Sequence, residues 1–161
     1  MKEIQLTQGK VALVDDEDYE YLNQWKWQAN QKGNKRFYAS RYKMIEGKYS
    51  VIYLHRFILK ISDKNIFIDH ANMNTLDNRK SNLRICNRSQ NTCNTEKNTY
   101  NLCGYKGVSF DKRCNKYFAV IKFNQKRYYL GYYIDPKDAA KAYNDGAIKY
   151  HGEFAKLNKI D

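Results

Sequence analysis

Apolar and polar residues alternate over short stretches along most of the chain, and one long segment keeps helical spacing near its end. Ile4-Gln5-Leu6 and Val11-Ala12-Leu13-Val14 predict two strands with Gly9 at the turn between them. Asp15-Asp16-Glu17-Asp18 loads negative charge ahead of Tyr19-Glu20-Tyr21-Leu22, which suits a helix N-terminus. Four carboxylates in that position read as a solvated cap rather than a metal site. Trp25, Trp27, Phe37-Tyr38-Ala39 and the segment from Tyr49 to Leu54 predict further sheet. His55 continues that apolar, strand-like stretch and reads as a packed, hydrogen-bonded histidine. Ile66 to Asp69 and Leu83 to Cys86 predict two more strands around a polar loop, followed by a helix capped by Asn87 or Ser89.

The texture changes again after residue 94. Thr95 to Asn101 has almost no aliphatics and reads as a linker. Beyond it, Tyr117, Ala119, Ile121 and Phe123 alternate with Phe118, Val120, Lys122 and Asn124, and Tyr128 and Leu130 oppose Arg127 and Tyr129. Asp135-Pro136 then starts a helix, with Asp138 placed for a capping box and Gly152 for the stop. Ala139, Ala142, Tyr143, Gly146, Ala147 and Tyr150 give that helix a face of mostly small residues, suited to lying close on the sheet.

Composition sharpens this picture. The 161 residues carry 29 Lys and Arg against 17 Asp and Glu, a net charge of +12, and 15 of the 24 aromatics are Tyr. Half of the excess falls in residues 99–130, with 7 basic groups against 1 acidic. Cations interleaved with tyrosine predict a polyanionic partner, with double-stranded DNA first. The longest apolar runs, such as Val51-Ile52-Tyr53-Leu54, fall far short of the roughly 20 residues of a membrane span. Without a hydrophobic signal core at the N-terminus, the expectation is a soluble, cytoplasmic protein with no membrane partner. Cys86, Cys93, Cys103 and Cys114 lack the two-residue gap of a zinc knuckle and read as reduced thiols.

The densest polar chemistry runs from Phe67 to Asn91. A strand ending in Asp69-His70 and a helix carrying Asn91 in its first turns can bring a carboxylate and an amide oxygen onto one divalent cation. Both are hard oxygen donors, suited to Mg²⁺ or Mn²⁺ rather than zinc. A neutral His70 can then take a proton from water for attack on a phosphodiester.

Leu54-His55-Arg56, Asp69-His70, Leu76-Asp77-Asn78-Arg79, Ser81-Asn82-Leu83-Arg84 and Gln90-Asn91 resemble the HNH endonucleases, in particular the homing endonucleases common in phages. The resemblance covers about residues 52–94. It implies a ββα-metal fold with His70 as general base, Asn82 steadying the base and its loop, and Asp69 and Asn91 as metal ligands. Asn91 stands where the family name has its last histidine. Arg79, Arg84 and Arg88 are candidates to clamp phosphates, and a role in holding the loop is the alternative.

The C-terminal residues resemble the plant Apetala-type (ethylene-response-factor) DNA-binding domain. The matches are Tyr105-Lys106-Gly107-Val108, Lys116-Tyr117, Ala119-Val120-Ile121-Lys122, Arg127-Tyr128-Tyr129-Leu130-Gly131 and Asp138 to Tyr143. Lys106, Gly107, Lys122, Arg127 and Tyr129 fall on that family's DNA-contact positions, and Lys112, Arg113 and Lys116 add cations beside them. Ser109 and Tyr129 replace a family arginine and tryptophan, so the plant target sequence is not implied.

The combined expectation is an α+β protein. An accessory sheet over 1–51 precedes a ββα-metal nuclease core over 52–94 and a linker over 95–102. Residues 103–161 then form a three-stranded antiparallel sheet packed on one helix. The function expected is a monomeric, site-directed DNA endonuclease in a bacterial or phage-infected cell. The rivals are a non-catalytic DNA-binding regulator on a retired nuclease scaffold and an RNA-binding protein.

Overall fold

The computed structural model describes residues 1–33, 36–95, 101 and 103–160. The linker expected over 95–102 lies mostly outside the described residues. The chain divides into two compact units, Met1–Cys86 and Asn87–Asp161; the described strands form small antiparallel sheets, three in the first unit and one in the second.

In the first unit, β1 (Lys2–Gln5) and β2 (Val11–Val14) form a hairpin with Ile4 opposite Ala12. Their alternation buries Ile4, Ala12 and Val14 on one face. Helix α1 (Asp16–Leu22) follows, with three carboxylates in its first turn and only Leu22 buried. Strands β3 (Gln28–Lys32), β4 (Arg36–Ile45) and β5 (Lys48–Tyr53) form a second sheet in that order. Trp27 is 2% exposed at the centre of the core, and its indole N–H donates to Leu22 O at 2.9 Å. That bond removes the penalty of burying the polar end of the ring.

The strand expected through Leu54 and His55 instead turns at Tyr53 into helix α2 (Leu54–Ile58). Leu54 is drawn fully into the core. The Arg56 guanidinium fixes the next segment by donating to Ile66 O at 2.9 Å and to Asp63 O. Strands β6 (Phe67–His70) and β7 (Leu83–Cys86) then pair antiparallel, with Asp69 opposite Arg84 and His70 opposite Leu83.

The second unit opens with α3 (Arg88–Cys93), closed by a capping box between Asn87 and Gln90. This helix, expected within the nuclease core, groups with the C-terminal residues: Lys106 Nζ donates to Cys93 O at 2.6 Å. Strands β8 (Val108–Asp111), β9 (Lys116–Phe123) and β10 (Lys126–Tyr133) form a sheet with β9 central. Helix α4 (Pro136–His151) starts at Asp135, whose side chain accepts from Lys137 N at 2.7 Å. Ala139, Ala140, Tyr143 and Ala147 bury against Val108, Ala119 and Ile121. Gly146 allows the close approach, since a methyl group there would meet Leu130 Cδ1 at 2.6 Å.

Candidate active site

Asp69 and His70 end strand β6, and both are buried, at 6% and 5% exposure. The Asp69 carboxylate pairs with the guanidinium of Arg84 across the two-stranded sheet. Burial pulls His70 below the usual histidine range, while the Asn78 side chain and the nearby Asp69 and Asp77 oppose that in part. The ring is therefore a neutral proton acceptor at neutral pH.

The loop between the strands is held by a polar network. Asn82 is buried; its amide Nδ2 donates to Asp77 O at 2.7 Å, and its Oδ1 accepts from Asn72 N at 2.9 Å. Its backbone oxygen accepts from Ala71 N at 2.9 Å, next to His70. Asn82 thus braces the loop immediately after the histidine.

Asp77, 1% exposed, is the loop's anchor. It accepts from Arg79 Nε at 2.8 Å, Arg79 Nη2 at 2.6 Å and Asn72 Nδ2 at 2.7 Å. The Arg79 guanidinium beside it holds its carboxyl below the usual range. Arg79 and Arg84, named as phosphate clamps from sequence, are thus each paired with a buried carboxylate. Their visible task is to hold Asp77 and Asp69.

The N-terminal sheet grips the same loop. Leu13 N donates to Leu76 O at 2.9 Å, Asn78 N donates to Leu13 O at 2.8 Å, and Thr75 Oγ1 donates to Phe37 O at 2.6 Å. The acidic run that read as a solvated cap has a structural partner. Lys80 N donates to Asp15 Oδ2 at 2.7 Å, and Lys80 Nζ reaches Glu17 at 2.6 Å and Asp18 at 2.9 Å. The Lys80 contacts join residues more than sixty positions apart, so no local pattern announces them.

His55 is the other residue that sequence reasoning placed only partly. Its ring lies 5.4 Å from that of His70 at 77°, stacks on Tyr53 at 5.6 Å and meets Tyr38 at 5.8 Å. It is packed, as expected. Its Nδ1, however, is buried with no hydrogen-bond partner among the described residues, contrary to the expected hydrogen-bonded ring. Burial, with the neighbouring His70 and Arg56, pushes its pKa down to about 3.

Asn91 lies on α3, in the second unit. Of the two ligands expected for a cation, Asp69 therefore lies in the first unit and Asn91 in the second; each offers an oxygen donor, the kind a hard divalent ion takes.

A family model described as HNH endonuclease matches residues 53–93, from the end of β5 to the end of α3. Over 158 residues the chain is 32% identical to an HNH endonuclease of Acanthamoeba polyphaga mimivirus, covering 95% of this chain and 77% of that protein. The chain belongs to the HNH endonuclease family. No solved structure matches it. The matched span of this HNH endonuclease contains Asp69, His70, Asn82 and Asn91, together with Asp77 and Asn78, to which sequence reasoning gave no role.

In the second unit of the HNH endonuclease, the sheet face turned away from α4 carries Lys122, Arg127 and Tyr129 of the expected DNA-contact residues. Lys122 stands directly opposite Arg127, and Tyr129 opposite Val120. Phe118 gathers Tyr129 and Tyr132 at 6.1 and 5.8 Å on the same face. Lys112 and Lys116 are exposed, and Arg113 is exposed but paired with Asp111 at 2.9 Å. Gly107 is packed beneath Tyr143: a methyl group there would meet the ring at 2.0 Å, and its φ is +72°. That role is structural. Among the described residues, no helix is long and apolar enough to cross a membrane.

Proposed function

We propose that this HNH endonuclease hydrolyses phosphodiester bonds of double-stranded DNA with one divalent cation, Mg²⁺ or Mn²⁺, and His70 as general base. The observation that carries this reading is the buried Asp69-His70 pair at a strand end. There, burial keeps the imidazole neutral and the Asp77–Asn82 network fixes the loop that follows. A bound cation would relieve charge building on the scissile phosphate and leaving oxygen. His70 takes a proton from the attacking water, and the water oxygen forms the new bond to phosphorus as the bond to the leaving oxygen breaks. Asn82 keeps the backbone after His70 from shifting. Asp69 and Asn91 are the proposed ligands, which makes the centre one of ββα-metal type, and Arg84 orients the Asp69 carboxylate.

The C-terminal unit, in this proposal, is a DNA reader of Apetala type that positions a monomeric homing-type enzyme inside a bacterial or phage-infected cell. Two cations directly opposed on one sheet face favour the reading. Like charges across a strand pair cost stability, and a polyanion offsets that cost. Mn²⁺ titration by calorimetry tests the ligand assignment. Asp69→Ala and Asn91→Ala should each weaken binding at least tenfold, and an unchanged affinity in both would overturn it.

A further inference from the structure

The second unit contains a cleft of about 810 Å³, bounded by α3 on one side and the β9–β10 turn on the other. Gly107, Val120 and Tyr143 line its apolar part, and Arg88, Lys106 and Lys122 bring three cations to it. Among the described residues, no carboxylate lines it. Arg88 and Lys122 are exposed and form no ion pair among the described residues. Lys106 is held in place by the carbonyl of Cys93.

The turn on the far wall is unusual. Phe123 pairs with Lys126, leaving Asn124 and Gln125 as a two-residue loop with φ of +46° and +63°. Glycine is the ordinary residue for the second position of such a turn, because a side chain is strained there. Here the chain keeps a glutamine in left-handed backbone, and both amides line the cleft. Both residues stand on the wall of the cavity that also carries the three cations.

We propose that this cleft binds the phosphodiester backbone of duplex DNA. Arg88 and Lys122 contact phosphate oxygens, and Asn124 and Gln125 donate side-chain hydrogen bonds to the same strand. This adds a backbone site beside the outward sheet face and brings α3 into DNA binding. The identity of the polyanion rests on the endonuclease reading above; the cleft's size and charge do not.

The test is fluorescence anisotropy of the full chain on a labelled duplex in EDTA, over about 50 to 200 mM salt. Each phosphate contact contributes about 0.9 to the slope of log affinity against log salt. Arg88→Gln should lower that slope by about 0.9, and Arg88→Gln with Lys122→Gln by about 1.8. Lys141→Gln with Lys149→Gln, on α4, removes the same charge elsewhere and should change the slope by less than half as much. Replacing Asn124-Gln125 with Asn-Gly should weaken binding about three- to tenfold with the slope unchanged. Equal slope changes in the cleft and α4 variants would overturn the proposal, because the cations would then act only as bulk charge. Loss of binding to an RNA hairpin but not to the duplex would overturn it too. A cleft double variant that binds as the wild type does, while the wild type cleaves DNA, defeats the cleft and spares the nuclease reading. Slope changes as expected without any cleavage by the wild type do the reverse.

Discussion

The buried histidine beside His70 makes stability fall with acid well above the carboxylate range. His55 is 9% exposed, and its pKa moves from 6.5 to about 3 in the folded chain. Above pH 6.5 it is neutral in both states and contributes no pH dependence. Below that, the unfolded chain binds a proton that the folded chain refuses, so stability drops by about 1.4 kcal/mol per pH unit until the folded value is reached. Between pH of about 7.5 and about 5, this one group removes about 2 kcal/mol. His70, lowered by the same burial, acts in the same direction. Both tryptophans, Trp25 and Trp27, lie in the first unit, so urea unfolding followed by Trp fluorescence reports on the unit that contains His55. His55→Phe keeps a packed ring and removes the proton, so its loss between the two pH values should be smaller by about 2 kcal/mol. Equal stability of the wild type at both values, or an identical loss in His55→Phe, would refute the argument.

Three further outcomes follow from the packing. Gly107→Ala should destabilise the second unit by about 2 to 5 kcal/mol, combining left-handed strain with displacement of Tyr143. Hydrogen exchange in α4 reads it, and protection like that of the wild type contradicts the contact. Asp77→Ala should cost about 2 to 4 kcal/mol in Trp-detected urea unfolding and reduce cleavage, because Arg79 and Asn72 lose a shared acceptor. The stabilising carboxylate is present above its unfolded pKa and is lost as pH falls through the depressed folded value. Arg127→Gln should raise the second unit's stability by about 0.2 to 1 kcal/mol by relieving its opposition to Lys122, while weakening DNA binding. Thermal unfolding and anisotropy together check this opposite pair of effects.

The elements most legible in the sequence were those written locally. Period-two alternation exposed β9 and β10, and Asp135-Pro136 with Gly152 bracketed α4 within a residue or two of its ends. Asp69, His70 and Asn82 were singled out by short polar motifs that resemble a known family, and the structure buries all three around one loop. Helix α2 was not. Val51-Ile52-Tyr53 favours strand, and no side chain caps the helix that follows. The second tasks of Asp15, Leu13 and Phe37 stayed hidden for a different reason. Each touches the active-site loop through a contact set by tertiary packing, with no sequence period to mark it. The same holds for Arg79 and Arg84. Their place in the polar motifs made them candidates to clamp phosphates, and their pairing with buried Asp77 and Asp69 is set by the tertiary fold.

The central claim is metal-dependent cleavage of DNA through the Asp69-His70 pair. Supercoiled plasmid carrying candidate host DNA, incubated with the full chain and Mg²⁺ or Mn²⁺, tests it most directly. The account predicts conversion to nicked or linear product that EDTA abolishes and that His70→Ala lowers by about two to four orders of magnitude. Cleavage by His70→Ala at the wild-type rate, or binding of every DNA tried with no cleavage under either metal, would contradict it.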